Sequence, residues 1–356
     1  MSNQNIFEAR RLGLKRGKIF MRKVLEAFDI YKLDQEERDK IRALMGISSR
    51  AELLLSSDLL ARVKAGRLLE KAMIKHLESR PTGSRRLFFG TLIDDSGNTS
   101  DRWPVISIKG IRDKAYRALK SVGLHAIAVI EVHPLMNHPG GGEGRTLMWH
   151  VHFIAWSDEE IDPARTVMKL ELTGAWTCKL GAAPIDIVEV VNEDVALITH
   201  YMTKAPHSAK NRKEKKDKPG AYKLFDTIKG YRPELALRVF EGLSQIQLPD
   251  TIFGVGEGKV IRQSLRKDLT DWHRKRKTPV AISADHDTWL FWLILRQTKG
   301  SKRYLPFRIS GTSPVRAAKP RKPKAATPPR RKSTLPTKAQ RRAFYKRVQR
   351  QRGQQR

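Results

Sequence analysis

Two histidines flank one apolar residue at the head of an apolar run, His150-Val151-His152-Phe153-Ile154-Ala155-Trp156. In a β-strand alternate side chains share a face. Both imidazoles then project together, and Val151 points the other way. Two imidazoles on one rigid face make most of a three-ligand metal site with open positions. The bland alternative is an ordinary strand with two exposed histidines. Seven of the ten histidines fall between His125 and His207, which favours metal chemistry in the middle of the chain. A hard cation also wants oxygen. Glu131 stands at the end of the preceding apolar segment, beside Val129, Ile130 and Val132. A carboxylate there is costly to bury unless it is paired or bound to a cation. If the two segments pair as a hairpin, Glu131 lies beside the histidines. His133 has the same strand parity and is the rival third ligand. The other outcome is that Glu131 emerges into solvent.

Farther on comes Ile198-Thr199-His200-Tyr201-Met202-Thr203-Lys204. On a helix Tyr201 and Lys204 are neighbours on one face. A phenol with a pKa of about 10 is a poor nucleophile at neutral pH. A cation-polarised phosphate and a nearby ammonium could make it competent. Taken alone, such a pair is also a common solvent-facing arrangement, with the lysine stem lying along the surface.

The elements that must position these groups follow from periodicity. Helices are predicted over the first ~80 residues, with Ile19, Phe20, Val24, Leu25 and Phe28 on one stripe. Asp34-x-x-Glu37 and Ser49-x-x-Glu52 have the capping-box pattern, with Gly46 placed between them as a helix stop. Arg42–Leu55 therefore reads helix, turn, helix, either a DNA-docking unit or part of a small bundle. Asp58–Leu77 is a further helix. Leu87–Ile93 is a strand stopped by Asp94-Asp95-Ser96-Gly97-Asn98. Ile111–Val122 is a basic helix, and Ala126–Val132 a second strand. Met136–Gly144, with Gly140-Gly141-Gly142, is a hairpin loop into the His150 strand. A helix opens at Pro163 and runs to Trp176. Ile185–Val191 is a fourth strand, and Asn192 caps the Tyr201 helix. Lys210–Lys218 is a basic loop suited to phosphate contact. Leu224–Leu295 is a small helical region containing the basic run Arg274–Lys277 and the apolar run Trp289–Leu295. Strands and helices mix without a βαβ repeat, so the fold class is α+β with an antiparallel sheet. The domains expected are an N-terminal helical region over 1–80, the histidine-bearing domain over 81–218, a C-terminal helical region over 219–300 and a disordered basic tail over 301–356.

The chain has 356 residues, with 70 Lys and Arg against 37 Asp and Glu, a net charge of +33. That excess favours a polyanionic partner, nucleic acid before an acidic membrane surface. Ser301–Arg356 holds 19 Lys or Arg and no acid, and removing it leaves +14. The tail cannot build a core. No apolar run approaches ~20 residues, and Glu8, Arg10 and Arg11 interrupt any signal-peptide core. Cys178 is alone, which excludes a multi-cysteine zinc module. The expectation is a soluble, cytoplasmic protein with no membrane partner.

Together these motifs resemble the HUH endonucleases, above all the rolling-circle replication initiator proteins of plasmids and phages. Three blocks carry the resemblance: Phe89-Gly90-Thr91-Leu92-Ile93, then His150–Trp156, then Tyr201 followed by Lys204. It spans Leu87–Pro206, about a third of the chain. The resemblance implies a five-stranded antiparallel sheet with the histidines central and the tyrosine on a following helix. Only four of those strands are evident in the sequence. It also implies Mg or Mn held by His150, His152 and Glu131, polarising the scissile phosphate of single-stranded or hairpin origin DNA. Tyr201 would attack and leave a 5′-phosphotyrosine and a free 3′-hydroxyl that primes synthesis, with Lys204 steadying the developing charge. One tyrosine in the block means that a second cleavage needs another protomer, another residue or water, so a dimer is one option.

No Gly-Lys-Ser/Thr occurs. Gly254-Val255-Gly256-Glu257-Gly258-Lys259 is followed by Val260, which makes it a flexible turn and not a P-loop. Without an ATPase, unwinding falls to a host helicase and synthesis to a host polymerase. Conjugative relaxases share the chemistry but usually place the tyrosine before the histidines. Transposases of the superfamily keep the order seen here but are much shorter. A reading of another class is a non-catalytic DNA-binding regulator, acting through its N-terminal helices and tail.

Overall fold

The computed structural model describes residues 3–276 apart from 48–49, 52, 80–85, 103, 105, 137, 139–144, 158–160, 180–181, 216–217 and 228–230, and also residues 279–280. The Ser49-x-x-Glu52 motif, Gly140–Gly142, Trp289–Leu295 and the 301–356 tail lie outside the described residues. The described residues belong to one compact unit.

The fold is α+β, with eight helices around a mixed sheet among the described residues. Its elements are α1 (Asn3–Tyr31), α2 (Gln35–Leu44), β1 (Arg50–Ala51), α3 (Leu59–Glu78), β2 (Leu87–Ser100), α4 (Ile108–Ser121), β3 (His125–Met136), β4 (Arg145–Trp156), α5 (Pro163–Glu171), β5 (Ile185–Val190), α6 (Val195–Met202), β6 (Ala209–Lys215), β7 (Lys218–Thr227), α7 (Pro233–Ser244), β8 (Ile252–Val255), α8 (Gly258–Lys275) and β9 (Pro279–Val280). The two-residue strands β1 and β9 pair with each other. The other seven form one sheet in the order β5-β2-β4-β3-β6-β7, with β8 also on β3. Within this sheet all pairs are antiparallel except β3 with β6.

β4 is central because it is apolar on both faces. Every residue from Thr146 to Trp156 is buried, as a doubly covered strand requires. Its even-numbered residues face α3, α6 and α8 through Ile154, Trp156, Leu69, Met202 and Leu265. Its odd-numbered residues face α4 and α7 through Trp149, Val151, Phe153, Leu119 and Phe240. Gly90 pairs with Phe153 across β2 and β4, and a β-carbon there would overlap the Phe153 ring.

Several local expectations match. Asp34 and Glu37 form the reciprocal capping box of α2. Gly46, at φ +70, closes that helix through Gly46 N–H to Ala43 O (2.9 Å) and Ile47 N–H to Arg42 O (3.0 Å). Asp58 caps α3. Other expectations need correction. Among the described residues no helix starts between the end of α2 at Leu44 and Leu59, so Arg42–Leu55 is not helix-turn-helix. Asp94–Asn98 does not stop β2, because the strand bulges there and resumes against β4. Asp94 is held by Lys114 Nζ at 2.6 Å, which lets the bulge turn inward. β3 continues to Met136, so Glu131 lies mid-strand. α5 ends at Glu171, short of Trp176. Asn192 opens a 3-10 turn and makes no side-chain cap on α6. Lys210–Lys215 is not a loop but most of β6, paired with β7, which begins at Lys218. The region after Leu224 also contributes β8 to the sheet. The Gly254–Lys259 turn is tight, not flexible. Gly256 has φ +55, and a β-carbon at Gly258 would overlap the Ala126 carbonyl. Among the described residues no helix is long and apolar enough to cross a membrane.

Candidate metal centre

Register places the ligands. Glu131 is the cross-strand partner of His150, and Thr91 that of His152. All four therefore share the α6-facing side of the sheet. His150 Nε2 and His152 Nε2 are 3.0 Å apart. Glu131 Oε2 lies 3.3 Å from His152 Nε2 and 3.9 Å from His150 Nε2. Bonds of about 2.1 Å to a common cation give ligand–ligand edges of roughly 3.0–3.4 Å, which two of the three spacings meet, while the 3.9 Å from Glu131 to His150 is longer. The three residues form a buried group that could hold a metal ion.

Surrounding contacts favour that use. His150 Nδ1 lies 3.3 Å from the Met148 carbonyl, and His152 Nδ1 lies 2.9 Å from Thr91 Oγ1. In the tautomer that donates from Nδ1 to both, the two Nε2 lone pairs converge on one point, an arrangement that a cation relieves. Burial pushes both imidazoles below the ordinary histidine range, with His150 well below it. Neutral imidazole is the ligating form. Burial alone would raise the Glu131 carboxyl. Lys204 and the two histidines outweigh it and hold the group at about 2. Glu131 Oε1 is buried with no hydrogen-bond partner, an unused acceptor where an unsatisfied group is costly.

α6 brings the other two groups. The Tyr201 ring lies 5.1 Å from the His152 ring and 5.9 Å, edge-on, from Phe89. Lys204 follows the helix end. Its Nζ donates to Glu131 Oε2 at 2.5 Å and lies 3.6 Å from the Tyr201 ring centre. Burial, then Glu131 and Asp226, raise the Tyr201 phenol above its ordinary range, against Arg16. The protein alone therefore keeps the phenol protonated.

All five residues singled out from the sequence, Glu131, His150, His152, Tyr201 and Lys204, gather within this one site. His133 stays outside the trio. Its ring is 6.5 Å from that of His150, and its Nε2 is 3.5 Å from Asp226 Oδ1. Sequence reasoning missed the residues that hold α6. His200 Nε2 meets Glu70 Oε2 of α3 at 2.9 Å, and Arg10 of α1 braces Glu70 at 3.0 Å. Arg62 of α3 donates to the Lys204 carbonyl at 3.0 Å and to that of Ser56 at 2.6 Å. It also missed Arg16, whose Cζ lies 5.8 Å from the Tyr201 ring centre. The available signal was a charge in the buried phase of α1, between Gly13 and Phe20.

Comparison with protein-family models, with curated proteins and with solved structures finds no match to this chain.

Proposed function

We propose that the protein is a metal-dependent DNA nickase and strand transferase of HUH type that initiates rolling-circle replication. The observation that carries this reading is the convergence of a buried two-histidine, one-carboxylate group with a tyrosine and a lysine from one helix. Five antiparallel strands in the order β5-β2-β4-β3-β8, with the histidines on the middle one, support it. The sheet also carries β6 and β7 beyond that set.

Glu131, His150 and His152 would hold Mg or Mn, and the paired imidazoles favour a transition ion such as Mn. When bound, the cation supplies Lewis-acid polarisation of a phosphate oxygen. The chain's own residues do the rest. Tyr201 Oη bonds to phosphorus and gives its proton to water. The bond from phosphorus to the 3′-oxygen breaks, and that oxygen leaves as a 3′-hydroxyl after taking a proton from water. The 5′-phosphate remains on Tyr201. Lys204 Nζ, beside both Glu131 and the phenol ring, balances charge that develops on the phosphoryl oxygens. The β4–β3–β2 floor and α6 fix the parts relative to each other, so little is spent on orientation.

The substrate is single-stranded or hairpin origin DNA, and host helicase and polymerase complete the cycle. The positive charge supports a nucleic-acid partner. The test uses the full chain, a random-sequence single-stranded DNA library and Mn. A DNA–protein adduct that survives denaturation is expected. It disappears with chelator and in Tyr201→Phe, while DNA retention on a filter persists. Retention without any adduct in the unsubstituted chain supports the non-catalytic regulator instead.

A further inference from the structure

α1 has a core-facing stripe at Ala9, Gly13, Gly17, Phe20, Val24 and Phe28, all buried. Arg16 lies on the edge of that stripe and points its guanidinium at the site, 5.8 Å from the Tyr201 ring centre. A charge in that position is ordinarily matched by a carboxylate. Among the described residues none pairs with Arg16. Burial lowers its pKa, and the Tyr201 phenol and then Glu131 act against that; Glu131 Oε2 is already held by Lys204. Arg62 is committed to two backbone carbonyls.

Charge counting leads to the same place. Arg16, Arg62, Lys204 and Lys210 all act on this site, against Glu131 and the exposed Asp226. Cations therefore outnumber anions before any metal enters. Of these cations, Arg16 lies beside the phenol from α1. A guanidinium fork presents parallel donors matched to a phosphate.

We infer that Arg16 is a further catalytic residue, which binds the phosphodiester that Tyr201 attacks. α1 then belongs to the reaction centre and is not a detached recognition module. This rests on the nickase reading for the identity of the anion as a DNA backbone phosphate. Arg16 grips the two non-bridging oxygens from the α1 side, opposite the sheet that carries the metal ligands. The attacked phosphorus is thereby held between them.

The test has two arms on the full chain. In the first, phenylglyoxal modifies arginines with and without a (dT)12 oligonucleotide, free of metal, and peptide mass spectrometry follows each site. Arg16 is expected to be protected at least fivefold. The exposed Arg11 and Arg22 on the same helix serve as references and change less than twofold. Equal reactivity of Arg16 with and without oligonucleotide overturns the inference, whether or not any variant folds. In the second arm, Arg16→Gln lowers the rate of adduct formation with Mn at least thirtyfold, and Arg16→Lys recovers part of it. An unchanged rate in Arg16→Gln overturns the inference and leaves the nickase reading standing. Protection of Arg16 with no adduct in the unsubstituted chain keeps the phosphate site and removes the nickase reading.

Discussion

Lys204 holds the one oxygen of Glu131 that faces both histidines. A cation arriving among the three ligands meets an ammonium already bound to one of them. Two unit charges about 4 Å apart repel by ~1 kcal/mol in water and ~4 kcal/mol at the effective dielectric of a protein site. Removing the ammonium should therefore favour the metal. In Lys204→Met, Mn affinity followed by electron paramagnetic resonance of the free ion should rise at least tenfold, while adduct formation falls. Unchanged or weaker Mn binding would show that Lys204 and the metal do not compete. The opposite sign is expected at the carboxylate, where Glu131→Gln should cost at least tenfold in Mn affinity. At this scale the sequence was informative, because strand parity put His150 and His152 on one face of their strand and Glu131 and His133 on one face of the preceding one, while the register that brings the two strands together was conditional on a hairpin. Parity could not separate Glu131 from His133, which share a face. The pairing of Glu131 with His150, and the placement of His133 beside Asp226, decide between them.

α6 is only eight residues long, too short to hold its own conformation in water, so its aim depends on what it packs against. α3 holds it through Glu70 to His200, Arg62 to the Lys204 carbonyl, and a close approach at Gly66. A β-carbon at Gly66 would lie 2.7 Å from Thr203 Oγ1 and 2.9 Å from His200 Nδ1. Gly66→Ala should cost about 1–3 kcal/mol through overpacking and lower the melting temperature by several degrees. Adduct formation should fall by more than the unfolded fraction explains, since the methyl displaces the helix that carries Tyr201. A full-rate variant with an unchanged melting temperature would contradict that role for α3. None of these contacts could be read from sequence. Glu70 and His200 are 130 positions apart, and apolar periodicity identifies a helix face without naming its partner. The same blindness explains the misread β6–β7 hairpin. Its charge-rich composition resembles a loop, but pairing with β3 and with each other satisfies its backbone.

For the whole molecule, the buried ionisable groups set the response to acid. Glu131 titrates at about 2 in the folded chain against 4.5 for an ordinary glutamate. Its contribution to stability is complete above pH 4.5 and is lost as pH falls through 2. His133, His150, His152 and His207 are pushed down from 6.5. The unfolded chain takes up protons below that pH that the folded chain refuses, so stability declines from about pH 6.5 downward. Calorimetry should show the melting temperature falling steadily between pH 6.5 and 4. A melting temperature that rises on acidification would contradict the burial of these groups. The net charge of +33 predicts a steep loss of DNA affinity with salt, through counterion release. A flat salt response would remove the basic tail from the binding surface. Composition favoured a nucleic-acid partner, but it could not show that α1 and α3 pack against the helix that carries Tyr201.

The most direct measurement is to digest the adduct formed by the full chain with single-stranded DNA and Mn, then sequence the DNA-bearing peptide by mass spectrometry. The account predicts one modified residue, Tyr201, carrying a 5′-phosphate ester. A nucleotide on any other residue, or no DNA-bearing peptide at all, would contradict it.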